Sequence, residues 1–199
     1  IVPTIIIVDG PAVSGPALLL GIADHVIMTE QAYAFVSGPS MVAEFTGIEV
    51  STDELGGAGT HARHSGASSV VVPDVAGAIA WVEELLEFLP SNVDQLAPIT
   101  QTDDADDRLT PEAGALVPEL STGSYDVRDV IASIVDDGHY MEIRARWAGN
   151  VITAFANMAG YSIGIVANQP ISLAGTLDIP ASQKAARFVA FCDAFNIPV

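Results

Sequence analysis

The period of apolar and polar positions changes several times along the chain, and the changes predict alternating strands and helices. Residues 4–8 (Thr-Ile-Ile-Ile-Val) are β-branched without polar alternation, the pattern of a strand covered on both faces. Asp9-Gly10-Pro11 ends that strand, and residues 16–23 predict a short apolar helix. Residues 25–28 read as a second buried strand and 34–36 as a third. Gly38-Pro39 opens a helix through Phe45, with proline suited to its first turn. Val70–Val72 is a further strand. Asp74 then caps a helix that Pro90 stops, with Ile79, Val82, Leu85, Leu86 and Leu89 expected on its inner face.

From residue 91 to 124 no period is visible. Prolines and the run Asp103-Asp104, Asp106-Asp107 predict a solvated linker there, ordered only where it crosses a surface. Periodicity returns with a helix over 127–135 and a strand over 140–143. An antiparallel hairpin follows, Val151–Met158 with 162–167, turning at Ala159-Gly160-Tyr161. An amphipathic helix over 182–195 closes the chain, with Ala185, Phe188, Val189, Cys192 and Phe195 facing inward. The expected organisation is thus three parts, residues 1–90, 91–124 and 125–199. Both outer parts are α/β and read as pieces of something longer, since the chain begins on a strand and stops where another strand is entered.

Composition narrows the possibilities. The chain has 199 residues, 25 Asp plus Glu against 7 Lys plus Arg, and a net charge of −18, yet 50% of its residues are hydrophobic. That apolar content excludes disorder for most of the chain. The charge is uneven: residues 83 to 142 hold 15 of the acids and only Arg108 and Arg128. Nucleic acid is an unsuitable partner for such a chain, because phosphate backbones need clustered Lys and Arg. The uncharged run over 10–23 is 14 residues long and broken by prolines and glycines, short of the roughly 20 that a spanning helix needs. Membrane association is therefore not expected. One cysteine, Cys192, excludes a disulfide framework and fits a reducing, cytoplasmic setting.

The candidate chemistry lies mainly in two glycine-containing turns. In Val8-Asp9-Gly10-Pro11-Ala12-Val13-Ser14-Gly15-Pro16 a strand runs through a turn into a helix. The N–H groups of Ser14 and Gly15 lie where a helix start leaves donors unpaired and favours negative charge, an arrangement suited to an oxyanion. An ordinary βα loop explains the same glycines. A nucleophilic Ser14 with a histidine base is a second alternative, with His25, His61 and His64 in the same part, although the spacing is not a Gly-x-Ser-x-Gly elbow. Leu55-Gly56-Gly57-Ala58-Gly59-Thr60-His61 lacks the spacing of a dinucleotide or phosphate loop, and reads as a helix end where backbones pack closely. His61 and His64 have no evident third ligand, so no metal site is expected. Lys184 and Arg187, three apart on one helix, read as two exposed bases that could meet a phosphate.

Several stretches of the chain together form a distinctive set. In the first part these are Val36-Ser37-Gly38-Pro39, Thr46-Gly47-Ile48-Glu49-Val50, Glu54-Leu55-Gly56-Gly57-Ala58 with His61, and Ser65-Gly66. In the last part they are Ser124-Tyr125-Asp126-Val127-Arg128, Val135-Asp136-Asp137-Gly138, Gly164-Ile165-Val166-Ala167-Asn168-Gln169-Pro170 and Ala174-Gly175-Thr176-Leu177-Asp178-Ile179. Lys184-Ala185-Ala186-Arg187-Phe188-Val189 and Cys192-Asp193-Ala194-Phe195-Asn196-Ile197-Pro198 complete the set. In order and spacing these stretches resemble the carboxyltransferase (β) subunit of biotin-dependent acyl-CoA carboxylases, the propionyl-CoA and acetyl-CoA carboxylase family.

The resemblance implies an α/β, crotonase- or Clp-protease-like β-β-α superhelix in parts of two related domains. The end of an N-terminal domain would occupy 1–90, an acidic linker 91–124 and the start of a C-terminal domain 125–199. It implies transfer of CO2 from carboxybiotin to the α-carbon of an acyl-CoA, with biotin carried by a biotin carboxylase/biotin carrier partner and the subunits assembled as a hexamer. The family's first oxyanion turn, a Gly-Gly pair, falls on Ser14-Gly15; Gly38, Pro39, Gly56, Gly57 and His61 are its substrate-binding candidates. A second oxyanion turn would lie beyond Val199. The alternatives are a non-catalytic assembly subunit, a decarboxylase relative, and a Clp-type hydrolase using Ser14.

Overall fold

The computed structural model describes residues 1–105, 107–120 and 123–199; Asp106 of the acidic run and Ser121 and Thr122 of the expected linker lie outside the described residues. The chain divides into two compact units, Thr4–Glu83 and Glu84–Val199 with Ile1–Pro3, the division falling after Glu83.

In the first unit, strands β1 (Ile5–Val8) and β2 (Pro11–Val13) lead into helix α1 (Gly15–Leu19). The motif then repeats as β3 (His25–Thr29), β4 (Tyr33–Phe35) and α2 (Pro39–Thr46). The strands sort into two parallel sheets, with β3 between β1 and β5 (Val70–Val72) in one and β2 beside β4 in the other. Each β-β-α turn thus lays one strand in each sheet, which is the repeat of a β-β-α superhelix. Gly10, at φ 90°, turns the chain from β1 to β2. Between α2 and β5 stand α3 (Thr52–Gly56), α4 (Ala58–Thr60) and a π-helical turn at His61–Ser65.

Burial follows sheet position. All five residues of β3 are buried, as the run of apolar residues predicts for a central strand. Edge strand β1 is covered less than expected, with Ile7 40% exposed. Helix α1 stops at Leu19 instead of Ala23, because Leu20, Gly21 and Ile22 donate to carbonyls three residues back, a tightened turn that α-helix cannot continue. The third strand begins at Tyr33 and pairs with β2.

Helix α5 (Val75–Phe88) has Asp74 accepting from the Gly77 N–H at 2.9 Å, as its N-cap role requires. Of its expected inner face, Leu85 and Leu89 are buried and Val82 packs against Ile27, Val72 and Ala78, whereas Ile79 and Leu86 are about half exposed; Ala78 and Phe88 are buried beside them.

In the second unit a short helix, α6 (Pro111–Leu116), lies inside the stretch read as linker. Helix α7 (Val127–Ile134) precedes an antiparallel sheet of β6 (Tyr140–Glu142), β7 (Val151–Met158) and β8 (Tyr161–Asn168). A two-residue turn joins β7 to β8, with Ala159 at φ 51° and Gly160 at φ 78°, the left-handed pair that tight hairpins use. Helix α8 (Ile179–Ala194) packs on β7 and β8, with Asp178 capping it through the Ala181 N–H at 2.9 Å. Its buried face is Ala181, Lys184, Phe188 and Cys192, with Phe195 just beyond; Val189 stays 42% exposed. No helix among the described residues is long and apolar enough to cross a membrane.

Candidate functional site

Ser14 joins β2 to α1 with φ 62° and ψ −119°, a backbone conformation that a Cβ strongly disfavours. Its N–H donates to the Phe35 carbonyl at 3.0 Å, carrying the β2–β4 pairing one residue past Val13. Of the two amides expected to face a ligand, that of Ser14 is thus engaged within the sheet. The Gly15 amide is the first of α1 and has no intrahelical acceptor. Where a Cβ would stand on Gly15 nothing lies within 4 Å, so a ligand atom can approach this backbone. Pro16 follows at the helix start, where a missing N–H costs nothing.

Strand β4 also anchors the second glycine turn. Gly56 packs so closely that a Cβ there would overlap the Ala34 carbonyl oxygen. Gly57 forms an antiparallel bridge with Tyr33, and the Ala58 N–H donates to the Ala32 carbonyl at 3.0 Å. His61 Nε2 lies 2.8 Å from the Ala34 carbonyl oxygen. A carbonyl only accepts, so Nε2 carries a proton toward it, and Nδ1 lies 2.9 Å from the Ser65 hydroxyl. Gly38 caps α2 beside the Phe35 ring, which a Cβ would meet at 3.4 Å, and Pro39 begins that helix.

Ser14, Gly38, Gly56, Gly57 and His61, scattered over 48 positions, are therefore gathered around the three residues of β4. Upstream of Gly56, a reciprocal cap between Ser51 and Glu54 starts α3, and the Ser51 backbone and side-chain hydrogen bonds hold the Glu54 carboxyl below its ordinary range. Neither Tyr33–Phe35 nor Arg63 stood out in the sequence. The available signal for Arg63 was that no other Lys or Arg occurs between residues 4 and 83.

In the second unit the matching motifs build a scaffold. Gln169 accepts from the Val127 N–H at 3.1 Å and donates to Asp126 Oδ1 at 2.6 Å, locking the strand end to the start of α7. Asp126 caps α7 through the Arg128 N–H; hydrogen bonds from Arg128 and Gln169 outweigh desolvation, the largest single influence, and hold its carboxyl below the usual range. Arg128 forks onto Glu142 at 2.7 and 3.0 Å. Asp136 accepts from the Ala159 and Gly160 N–H groups at 2.9 and 2.7 Å, which fixes the hairpin turn.

Lys184 is not an exposed base. It is fully buried, and its ammonium donates to the carbonyls of Trp147 at 2.9 Å, Val151 at 2.8 Å and Ala148 at 3.5 Å. Burial pushes it down to about 8, and pushes the buried Arg144 guanidinium down to about 9. The Cys192 thiol is raised to about 12 by burial and is chemically quiet. A cavity of about 580 Å³ lined by Asp103, Asp104, Glu112, Asp137 and Arg108 is too acidic to hold an anion. Among the described residues no group of three or more His, Cys, Asp or Glu side chains could hold a metal ion.

Paired parallel sheets wound from β-β-α turns, with solved relatives of the same architecture, define a crotonase-like α/β fold. The chain belongs to the carboxyl transferase domain family, whose model matches residues 1–199. It is 42% identical to the propionyl-CoA carboxylase beta chain of Saccharopolyspora erythraea and 45% identical to the methylmalonyl-CoA carboxyltransferase 12S subunit of Propionibacterium freudenreichii subsp. shermanii. Each match covers all of this chain and 38% of the relative. The methylmalonyl-CoA decarboxylase subunit alpha of Veillonella parvula is 40% identical over 39% of its length. Transcarboxylase 12S, a hexamer solved with hydrolysed methylmalonyl-coenzyme A bound, superposes with a TM-score of 0.95 at 45% identity, over 99% of this chain and 39% of that one. A single-chain long-chain acyl-CoA carboxylase gives 0.80 at 28% identity.

Proposed function

We propose that this chain forms part of a carboxyltransferase moving CO2 from carboxybiotin to the α-carbon of an acyl-CoA, giving a malonyl-CoA-type product. Propionyl-CoA is the substrate we favour, because one relative is a propionyl-CoA carboxylase beta chain and another a methylmalonyl-CoA carboxyltransferase subunit, with acetyl-CoA or a longer acyl-CoA as variants of the same chemistry. Biotin, carried on a biotin carboxylase/biotin carrier partner, supplies the activated carboxyl group and the base that takes the α-proton. The chain's own contribution is positioning and charge stabilisation.

The observation that carries this reading is the Ser14–Gly15 turn. Ser14 fixes the turn by giving its N–H to Phe35, and the Gly15 N–H is left for an oxyanion at an open stretch of backbone. Gly38, Pro39, Gly56, Gly57 and His61 shape the wall beside it, with His61 acting through its grip on Ala34. Leu18, Ile22, Phe45 and Ile48 remain exposed, as surfaces covered in a homohexamer would. A cytoplasmic location agrees with the single buried thiol.

Gly15→Pro removes the donor without a new polar group. In the full-length protein with its biotin-bearing partner, carboxylation of acyl-CoA should fall about 10²–10³-fold. Unchanged transfer would reject the oxyanion role. Wild-type protein that binds acyl-CoA without carboxybiotin-dependent product would instead support a non-catalytic assembly subunit.

A further inference from the structure

Arg63 is the sole Lys or Arg between residues 4 and 83, a stretch with nine Asp and Glu. Among the described residues it nevertheless forms no ion pair, although three of the chain's other arginine or histidine side chains do. It stands exposed on the π-helical turn His61–Ser65. That turn is held rigidly, by His61 on Ala34 and Ser65 at one end and by left-handed Gly66 at the other. Its guanidinium lies over Gly59, where a Cβ would stand 2.9 Å from Nη2. The fork is thus presented from a fixed turn on the element that follows Gly56 and Gly57, with its donors free of carboxylates.

A CoA thioester carries several negative phosphate oxygens, and a chain of net charge −18 repels such a ligand. Within the unit that holds the Gly15 turn, Arg63 is the one guanidinium placed to meet those oxygens. Planar N–H pairs match phosphate oxygens. We propose that Arg63 binds a phosphate group of the CoA thioester and so holds the substrate's nucleotide end; this rests on the acyl-CoA reading of the same site.

The test is equilibrium titration of the full-length protein and its Arg63→Gln and Arg63→Lys variants with coenzyme A and, separately, with pantetheine, which lacks every phosphate. Arg63→Gln should weaken CoA binding roughly tenfold or more, leave pantetheine binding unmoved, and flatten the salt dependence of CoA affinity; Arg63→Lys should restore part of the loss. With 3′-dephospho-CoA, disappearance of the difference between wild type and variant assigns the contact to the 3′-phosphate, and its persistence assigns it to the pyrophosphate. Equal CoA affinity in wild type and Arg63→Gln, or an equal fall for CoA and pantetheine, overturns the proposal. Acyl-CoA carboxylation with an unchanged KM in Arg63→Gln overturns Arg63 alone and leaves the carboxyl-transfer reading standing. Arg63-dependent CoA binding without carboxyl transfer does the reverse.

Discussion

The Lys184 ammonium reaches the Val151 carbonyl at 2.8 Å from a position with no solvent exposure, so a buried cation holds the start of the longest strand pair. The same group satisfies Trp147 and Ala148 in the bend before β7, where Arg144 and Ala148 both adopt positive φ. Lys184→Ala would leave these carbonyls without their donor and open a void, so it should cost about 2–4 kcal/mol. The thermal midpoint of the full-length protein reads this directly. The pH dependence has a defined sign. Burial lowers the folded value to about 8, below that of an unfolded lysine near ~10.4. Between those values the unfolded chain binds more protons, so this group's contribution to stability rises with pH, by at most about 1.4 kcal/mol per pH unit. Below pH 8 its contribution is flat. Denaturant midpoints from pH 7 to 10 should climb less steeply in Lys184→Ala than in wild type; identical slopes would refute the assignment.

Gly164 of β8 faces Cys192 and Phe188 of α8, and a Cβ there would stand 2.8 Å from Sγ and 3.1 Å from the Phe188 ring. Gly164→Ala should therefore destabilise by about 1–3 kcal/mol through overpacking. Cys192→Ala removes the nearer atom, so the double variant should recover part of that loss. Simple additivity of the two single effects would show that helix and strand are not in the contact described.

Most of the strand and helix positions were legible in the sequence because one physical signal, the period of apolar residues, was strong in each. Buried β3 has no polar alternation, and the hairpin carries Ala159-Gly160 at its tip. What the period misplaced was part of two inner faces: Ile79, Leu86 and Val189 are exposed, whereas Leu85, Leu89, Phe188, Cys192 and Phe195 are buried as expected. In α8 the long aliphatic stem and ammonium of Lys184 fill a core position, because three backbone carbonyls converge there, and no propensity rule anticipates such a set of acceptors. The site was half legible. Its glycine turns stood out by composition, but their meeting at β4 depends on pairings between residues such as Ser14 and Phe35 that a linear pattern does not encode. The motif residues Asp126, Asp136 and Gln169 carry the resemblance and turn out to hold turns together.

His61 offers a way to separate anchoring from substrate contact. Its Nε2 proton is directed at Ala34, on the strand that also receives the Ser14 amide. His61→Ala should lower the thermal midpoint and the transfer rate together, with a stability loss of about 1–3 kcal/mol from the orphaned carbonyl. Gly56→Ala, which drives a Cβ into the same Ala34 oxygen, should be at least as damaging. A His61→Ala protein of wild-type stability whose KM alone rises would instead make His61 a direct substrate contact.

Ser14 departs from the Gly-Gly pair that the family resemblance implies, and its φ of 62° places a side chain where glycine is the easier residue. Ser14→Gly should raise stability by about 1 kcal/mol through relief of that strain, with carboxyl transfer retained. A nucleophilic role requires a base; the rings of His25 and His61 are directed at Ser69 and at Ser65 and Ala34, and among the described residues His64 makes no hydrogen bond with the Ser14 hydroxyl. A fluorophosphonate should therefore leave wild-type protein unlabelled. Labelling of wild type that disappears in Ser14→Ala would overturn this and make the turn a hydrolase elbow, with the strained backbone serving to expose the hydroxyl.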